Sequence, residues 1–195
     1  MGVKIQISVY LYIIIITNKI FIMKALFQFK TVTVFVCALF MSTMVMAQKD
    51  KKPASPHLGV KGTVAGANIS IRYGSPYVKG RKIWGGLEPY GKVYRAGADS
   101  ATTFTTDKAI TVEGKALPAG KYSFFVIPVE KGQWTVIFNK TAEQWGAFEY
   151  KEAQDQLRVM VTPKKHAMSE SLTYVITKNG FSMDWDKISI PVSIK

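Results

Sequence analysis

The chain is poor in the residues that do metal, thiol and redox chemistry. Among 195 residues there is one cysteine and there are two histidines. One cysteine forms no intramolecular disulfide, so no disulfide framework holds the fold. Cys37 lies in the middle of an apolar run near the N-terminus. It is not at a cleavage point, which argues against lipidation there. His57 and His166 stand far apart, with no Cys/His or His/carboxylate spacing around them. That excludes the usual zinc patterns, and both read as solvated side chains. No Gly-x-Ser-x-Gly elbow, phosphate loop or dinucleotide fingerprint occurs, so no cofactor and no assignable catalytic residue are expected. Acids are also scarce, with 13 against 26 Lys and Arg.

The charge and the apolar residues are distributed unevenly. From Met23 the chain reads MKALFQFKTVTVFVCALFMSTMVMA. Lys24 and Lys30 precede an apolar run from Thr31 to Ala47, with Val45 and Ala47 at small-residue cleavage positions. That order is a secretory signal peptide, and it places the protein in the periplasm or outside the cell. Left uncleaved, the run would be a membrane anchor, and membrane contact is expected only through this segment. Residues 1–22 form a second apolar run upstream, read as an early-called start or non-native extension with Met23 as the true start. Four lysines and no acid lie in residues 1–47, which leaves 22 basic against 13 acidic residues downstream, a net +9. For an exported chain this excess reads as solubility, or as attraction to acidic glycans or anionic surfaces, rather than nucleic-acid binding.

Residues 48–57 (QKDKKPASPH) are polar, contain two prolines and read as a flexible tether. Residues 58–195 then read as a single domain, large enough for its own core. Its pattern is that of strands. LGVKGTV (58–64) and NISIRY (68–73) flank Ala-Gly-Ala, and KALPAGKYSFFVIP (115–128) holds a Pro-Ala-Gly turn. QWTVIFN (133–139) puts Trp134, Val136 and Phe138 on one face, and DQLRVMVT (155–162) does the same with Leu157, Val159 and Val161. SLTYVITK (171–178) and FSMDWD (181–186) flank Asn179-Gly180, a strong hairpin signal because both turn positions favour positive φ. KISIPVSI (187–194) follows as a further strand, and Pro191 marks it as an edge. PKKHAMSE reads as a loop, and KTAEQWGAFEY (140–150) as a short helix or a looped insertion weakened by Gly146. Asp184 and Asp186 share a strand face and read as solvated. Many short strands with frequent turns predict an all-β antiparallel sandwich of jelly-roll-like order.

One stretch departs from this pattern. Residues 75–106 (SPYVKGRKIWGGLEPYGKVYRAGADSATTFTT) hold five glycines amid aromatic rings and arginines. GRKIWGGLEPYGKVYRAGADSATT, then LPAGKYSFFVIP, QWTVIFNK, WGAFEY and DQLRVMV, resembles in order a bacterial family catalogued only as domain of unknown function 2911. The resemblance covers Val60 to the C-terminus. It implies secreted or periplasmic proteins and brings no established activity. The family pattern Trp-Arg-Thr-Gly-Ala-Asn-Glu-Ala-Thr stands here as Tyr94-Arg95-Ala96-Gly97-Ala98-Asp99-Ser100-Ala101-Thr102. Ser100 replaces the family's glutamate, which counts against catalysis at that position.

The residues of this stretch suit a binding site. Trp84, Tyr90 and Tyr94 offer flat faces for stacking on sugar rings. Arg81 and Arg95 offer forked donors, Asp99 accepts from hydroxyls, and Gly85-Gly86 allows close backbone approach. The same features equally suit architecture, with the rings in the core and Arg95 tying loop carbonyls together. Three functions remain open: a non-catalytic binding module for a carbohydrate or other polar envelope ligand, a structural or interaction protein of the envelope, and a glycan- or envelope-directed hydrolase.

Overall fold

The computed structural model describes residues 54–195, together with Thr17, Lys19 and Met23. The extension over 1–22, the signal segment over 23–47 and residues 48–53 of the tether otherwise lie outside the described residues. Alternation of apolar and polar side chains sets the strands. They are β1 (His57–Val64), β2 (Ala67–Gly74), β3 (Thr102–Thr106), β4 (Ile110–Val112) and β5 (Lys115–Leu117). Then come β6 (Gly120–Ile127), β7 (Trp134–Asn139), β8 (Asp155–Val161), β9 (Lys164–Thr177) and β10 (Gly180–Ser193).

Six strands pair antiparallel in the order β1-β2-β3-β6-β7-β8. The long β9–β10 hairpin supplies the second layer. The β4–β5 hairpin extends that layer through a Val112–Ile194 bridge, where Thr111 and Lys195 exchange backbone hydrogen bonds of 2.8 and 2.9 Å. The far edge of β9 is capped by residues 76–78. Leu172 N donates to Pro76 O at 2.9 Å and Val78 N to Glu170 O at 2.7 Å. The fold is thus an all-β antiparallel sandwich.

Ile69, Ile71, Phe104, Phe124, Val136 and Phe138 from the large sheet are buried against Leu172, Tyr174, Phe181, Met183 and Trp185 from the hairpin. Each such side chain contributes about 1.5–3 kcal/mol by leaving water. Rings meet edge to face, as in Phe104–Phe138 at 5.0 Å and Phe124–Phe181 at 5.5 Å. Phe125 and Ile137 point to the opposite face, where Ala147 and Tyr150 cover them. β6 is therefore buried on both faces, which explains its unbroken SFFVI run.

Several expectations are corrected. Residues 140–150 are a looped insertion, with Glu143 and Gly146 at φ 62 breaking any helix, and a short 3₁₀ turn follows at Glu152–Gln154. Residues 164–170, read as a loop from their polar composition, are the first half of β9 and stay exposed along much of it. Residues 180–193 form one strand rather than two, with register shifts around Asp186 at φ 54. The hairpin turn is Lys178–Asn179, because Gly180 already pairs with Thr177. Gly180 is needed for closeness instead. A Cβ there would stand 1.9 Å from Val192 O. Pro191 lies beyond the last registered pair, Ser189 with Lys164, so its missing N–H breaks no ladder. β1 starts at His57, and Pro56 O already accepts from Ser75 N at 2.8 Å, so the tether ends earlier than its composition predicts.

A candidate binding cavity at the end of the sandwich

β2 ends at Gly74 and β3 begins at Thr102, and the glycine-rich segment between them closes one end of the sandwich. Its central turn folds back on itself. Gly85 N donates to Glu88 O and Glu88 N to Ile83 O, both at 2.9 Å. Gly85 and Gly86 are required by this turn rather than by a ligand. A Cβ on Gly85 would lie 2.4 Å from the Tyr90 ring, and one on Gly86 would lie 2.4 Å from Lys82 O.

The chain then runs beside β6. Tyr94 and Val126 exchange backbone hydrogen bonds of 2.8 and 2.9 Å, in line with β3. Residues 95–101 leave that line as a loop and rejoin it where Thr102 N donates to Arg95 O at 3.1 Å. The loop is firmly pinned. Ala96 sits at φ 52, and its carbonyl accepts from Thr102 Oγ1 and from Tyr174 Oη, both at 2.8 Å and both buried. Ala98 N donates to Gly74 O at 3.1 Å, and Gly146 N to Asp99 O at 3.1 Å. Left-handed backbone at a non-glycine residue costs about 1–2 kcal/mol, so these bonds hold the loop against local preference.

The loop, the turn and residues 54–55 border a half-open cavity of about 350 Å³. Lys79, Arg81, Glu88, Arg95, Asp99 and Trp185 line it, together with Tyr77, Leu87 and small residues. Arg81 is occupied. It donates through Nε to Val78 O at 3.0 Å and through Nη2 to Tyr77 O. Lys79 Nζ lies 5.8 Å from the Tyr77 ring centroid. Asp99 meets His57 Nε2 at 2.9 Å. Arg95 Nε and Trp185 Nε1 are buried and have no hydrogen-bond partner among the described residues. Glu88 is partly buried, and its carboxyl makes no hydrogen bond to a described residue. Burial pushes its carboxyl from 4.5 up to about 7, while Arg95 and then Arg81 pull weakly the other way. Tyr94 lies beyond the wall. Burial raises its phenol well above 10.0, and the Glu88 charge adds to that.

The sequence-predicted site residues therefore divide. Arg81, Arg95 and Asp99 line the cavity together. Trp84 and Tyr94 do not present open faces. They are 7% and 3% exposed, and their rings pack against Trp185 at 5.7 and 6.0 Å. They pack behind Trp185, outside the cavity lining, and offer no face for stacking on a ligand. Tyr90 is half-exposed against Gly85, outside the cavity lining. Sequence reading missed Glu88, Trp185 and Lys79. Glu88 was visible as a lone acid inside GGLEPYG, but its desolvation was not. His57, expected in the tether, is instead held beside the loop by Asp99.

A larger groove of about 870 Å³ lies over the outer face of β1, β2 and β3. Lys61, Arg72 and Lys121 line it, and Lys121 is paired with Glu143. None of the buried, unpartnered polar atoms lies on its wall. Among the described residues, no group of three His, Cys, Asp or Glu is placed to hold a metal ion. Asp184 is buried and accepts from Ser182 Oγ at 3.1 Å and Ser189 Oγ at 2.5 Å, so it does not lie on the solvated face expected of it.

No curated protein and no solved structure matches the chain. A family model matches residues 55–194, well over half of the sequence. The chain belongs to the family described as Protein of unknown function (DUF2911).

Proposed function

We propose that the protein is an exported binding module whose end cavity holds a carbohydrate or other small polar ligand. One observation carries this reading. Among the described residues, Arg95 and Glu88 line the same 350 Å³ cavity and neither charged side chain has an ion pair or a hydrogen bond. Leaving a polar group unpaired costs about 1–3 kcal/mol, so a ligand that supplies a partner to the Arg95 guanidinium would be bound favourably. The cavity size suits a small ligand, and sites of this kind combine an apolar wall with a few convergent polar groups. Export rests on the signal segment at residues 23–47 and the polar ligand class on the cavity chemistry.

The test is a thermal-shift screen of the purified full chain against neutral sugars, acidic sugars and small anions. A ligand at 100 times its dissociation constant adds about 2.7 kcal/mol, a shift of several degrees. Arg95→Ala should fold and lose the shift. If no compound moves the transition, the cavity is architecture and the scaffold reading takes its place. Glu88, poised near neutral pH, favours the hydrolase as a second reading. Turnover of a bound glycan, abolished by Glu88→Gln with binding retained, would establish it.

A further inference from the structure

Donors outnumber free acceptors around the cavity. Three cations (Lys79, Arg81, Arg95) and two carboxylates (Glu88, Asp99) line it. Most are engaged. Asp99 meets His57 at 2.9 Å, Arg81 donates to the carbonyls of Tyr77 and Val78, and Lys79 lies over the Tyr77 ring. Arg95 and Glu88 remain, attracting each other without an ion pair. Trp185 contributes an uncharged wall, its side chain 0% exposed. The Arg95 guanidinium is a forked donor that suits planar or tetrahedral oxyanions.

We propose that the cavity takes the anionic group of its ligand, a carboxylate or sulfate-type oxyanion, onto Arg95, and that Glu88 takes up a proton as the anion enters. This rests on the cavity being the ligand site. An ionised Glu88 in the same small cavity would repel an anion, and neutralising it raises the net charge of the lining by one. Burial has already brought the Glu88 carboxyl to about 7, so protonation near neutral pH costs little, and a second negative charge beside it raises it further. The charged and titratable groups around Glu88 are Arg81 on the preceding turn, Arg95 and Tyr94 on the stretch beside β6, Lys79, and Asp99 with His57. From β10, Trp185 brings no charge, and Asp184 is taken up by two serine hydroxyls.

When an anion binds only the form with neutral Glu88, apparent affinity follows the population of that form. That population is nearly complete at pH 6 and about one tenth at pH 8, so affinity should fall about tenfold between them. Sulfate and glucuronate keep their charge over this range and separate a free oxyanion from an acidic sugar, and glucose serves as the neutral control. Isothermal titration of each into the purified full chain would be run at pH 6 and pH 8, with wild type, Glu88→Gln and Arg95→Lys.

The expected result is binding of sulfate, glucuronate or both, about tenfold tighter at pH 6. Glu88→Gln should bind at both pH values with the wild-type pH 6 affinity, and Arg95→Lys should bind at least tenfold more weakly at both. Equal wild-type affinities at the two pH values, or a pH dependence that survives in Glu88→Gln, would overturn the proton uptake. Glucose binding without either anion would overturn the anion assignment and leave the cavity a neutral-sugar site. Binding of none of the three, together with a flat thermal-shift screen, would remove the cavity reading itself.

Discussion

Glu88→Gln should stabilise the protein in alkaline solution and leave it unchanged in acid. The carboxyl moves from about 4.5 in the unfolded chain to about 7 in the fold. A raised acid favours folding in its neutral form. Its stability is therefore fully present below about pH 4.5 and is lost as pH rises through 7. At pH 8 the difference of about 2.5 pH units corresponds to about 3 kcal/mol at 1.36 kcal/mol each. Glu88 keeps contact with solvent, which screens the interaction, so about 1.5–2 kcal/mol is the working figure. Glutamine has nearly the same shape and no charge, so it removes that cost. Urea unfolding of wild type and Glu88→Gln from pH 4.5 to 8.5 measures it directly. The two stability curves should coincide at the acid end and diverge by about 1.5–2 kcal/mol at pH 8, equivalent to roughly 3–8 °C in Tm. Curves that stay parallel across the range would refute the desolvation of Glu88 and, with it, the cavity's electrostatics.

The remaining predictions concern the frame around the cavity. Trp84→Ala should cost about 3–5 kcal/mol in urea unfolding, since the ring is buried among Tyr94, Trp134 and Trp185; a loss under 1 kcal/mol would mean that the ring is not core. Tyr174→Phe removes a buried hydroxyl that donates to Ala96 O and should cost about 0.5–1.5 kcal/mol. Hydrogen exchange should then quicken in residues 95–101, and unchanged exchange there would show that the bond does not pin the loop. Gly180→Ala should destabilise by more than 2 kcal/mol, because its Cβ meets Val192 O. Gly66→Ala, at φ 77 with open space around it, should cost only about 1 kcal/mol of backbone strain. Equal losses at the two glycines would contradict the close packing of β10.

Strand patterns were legible because burial on one face of a sheet imposes a period of two. Leu157, Val159 and Val161, and Phe181, Met183 and Trp185, fell on the core side as their spacing demanded. Where a strand is exposed on both faces the signal vanishes, so Lys164–Glu170 read as loop. Where it is buried on both, as at Phe124-Phe125-Val126, alternation gives way to a plain apolar run. Turn residues were less legible. Asn179-Gly180 marked the hairpin, but Gly180 pairs with Thr177, so the turn falls on Lys178–Asn179.

The site divides in the same way. The sequence by itself determined the all-β class, the family and the concentration of arginine, glycine and rings between β2 and β3. Residue type and order carry those properties. Only the tertiary structure decided that Trp84 and Tyr94 face inward, that Arg95 and Glu88 meet at one cavity, and that burial brings the Glu88 carboxyl up to about 7. Those properties depend on what surrounds each group. Desolvation and unmet hydrogen bonds arise from chain segments separated by up to about a hundred residues, as Glu88 and Trp185 are, and no local pattern encodes them.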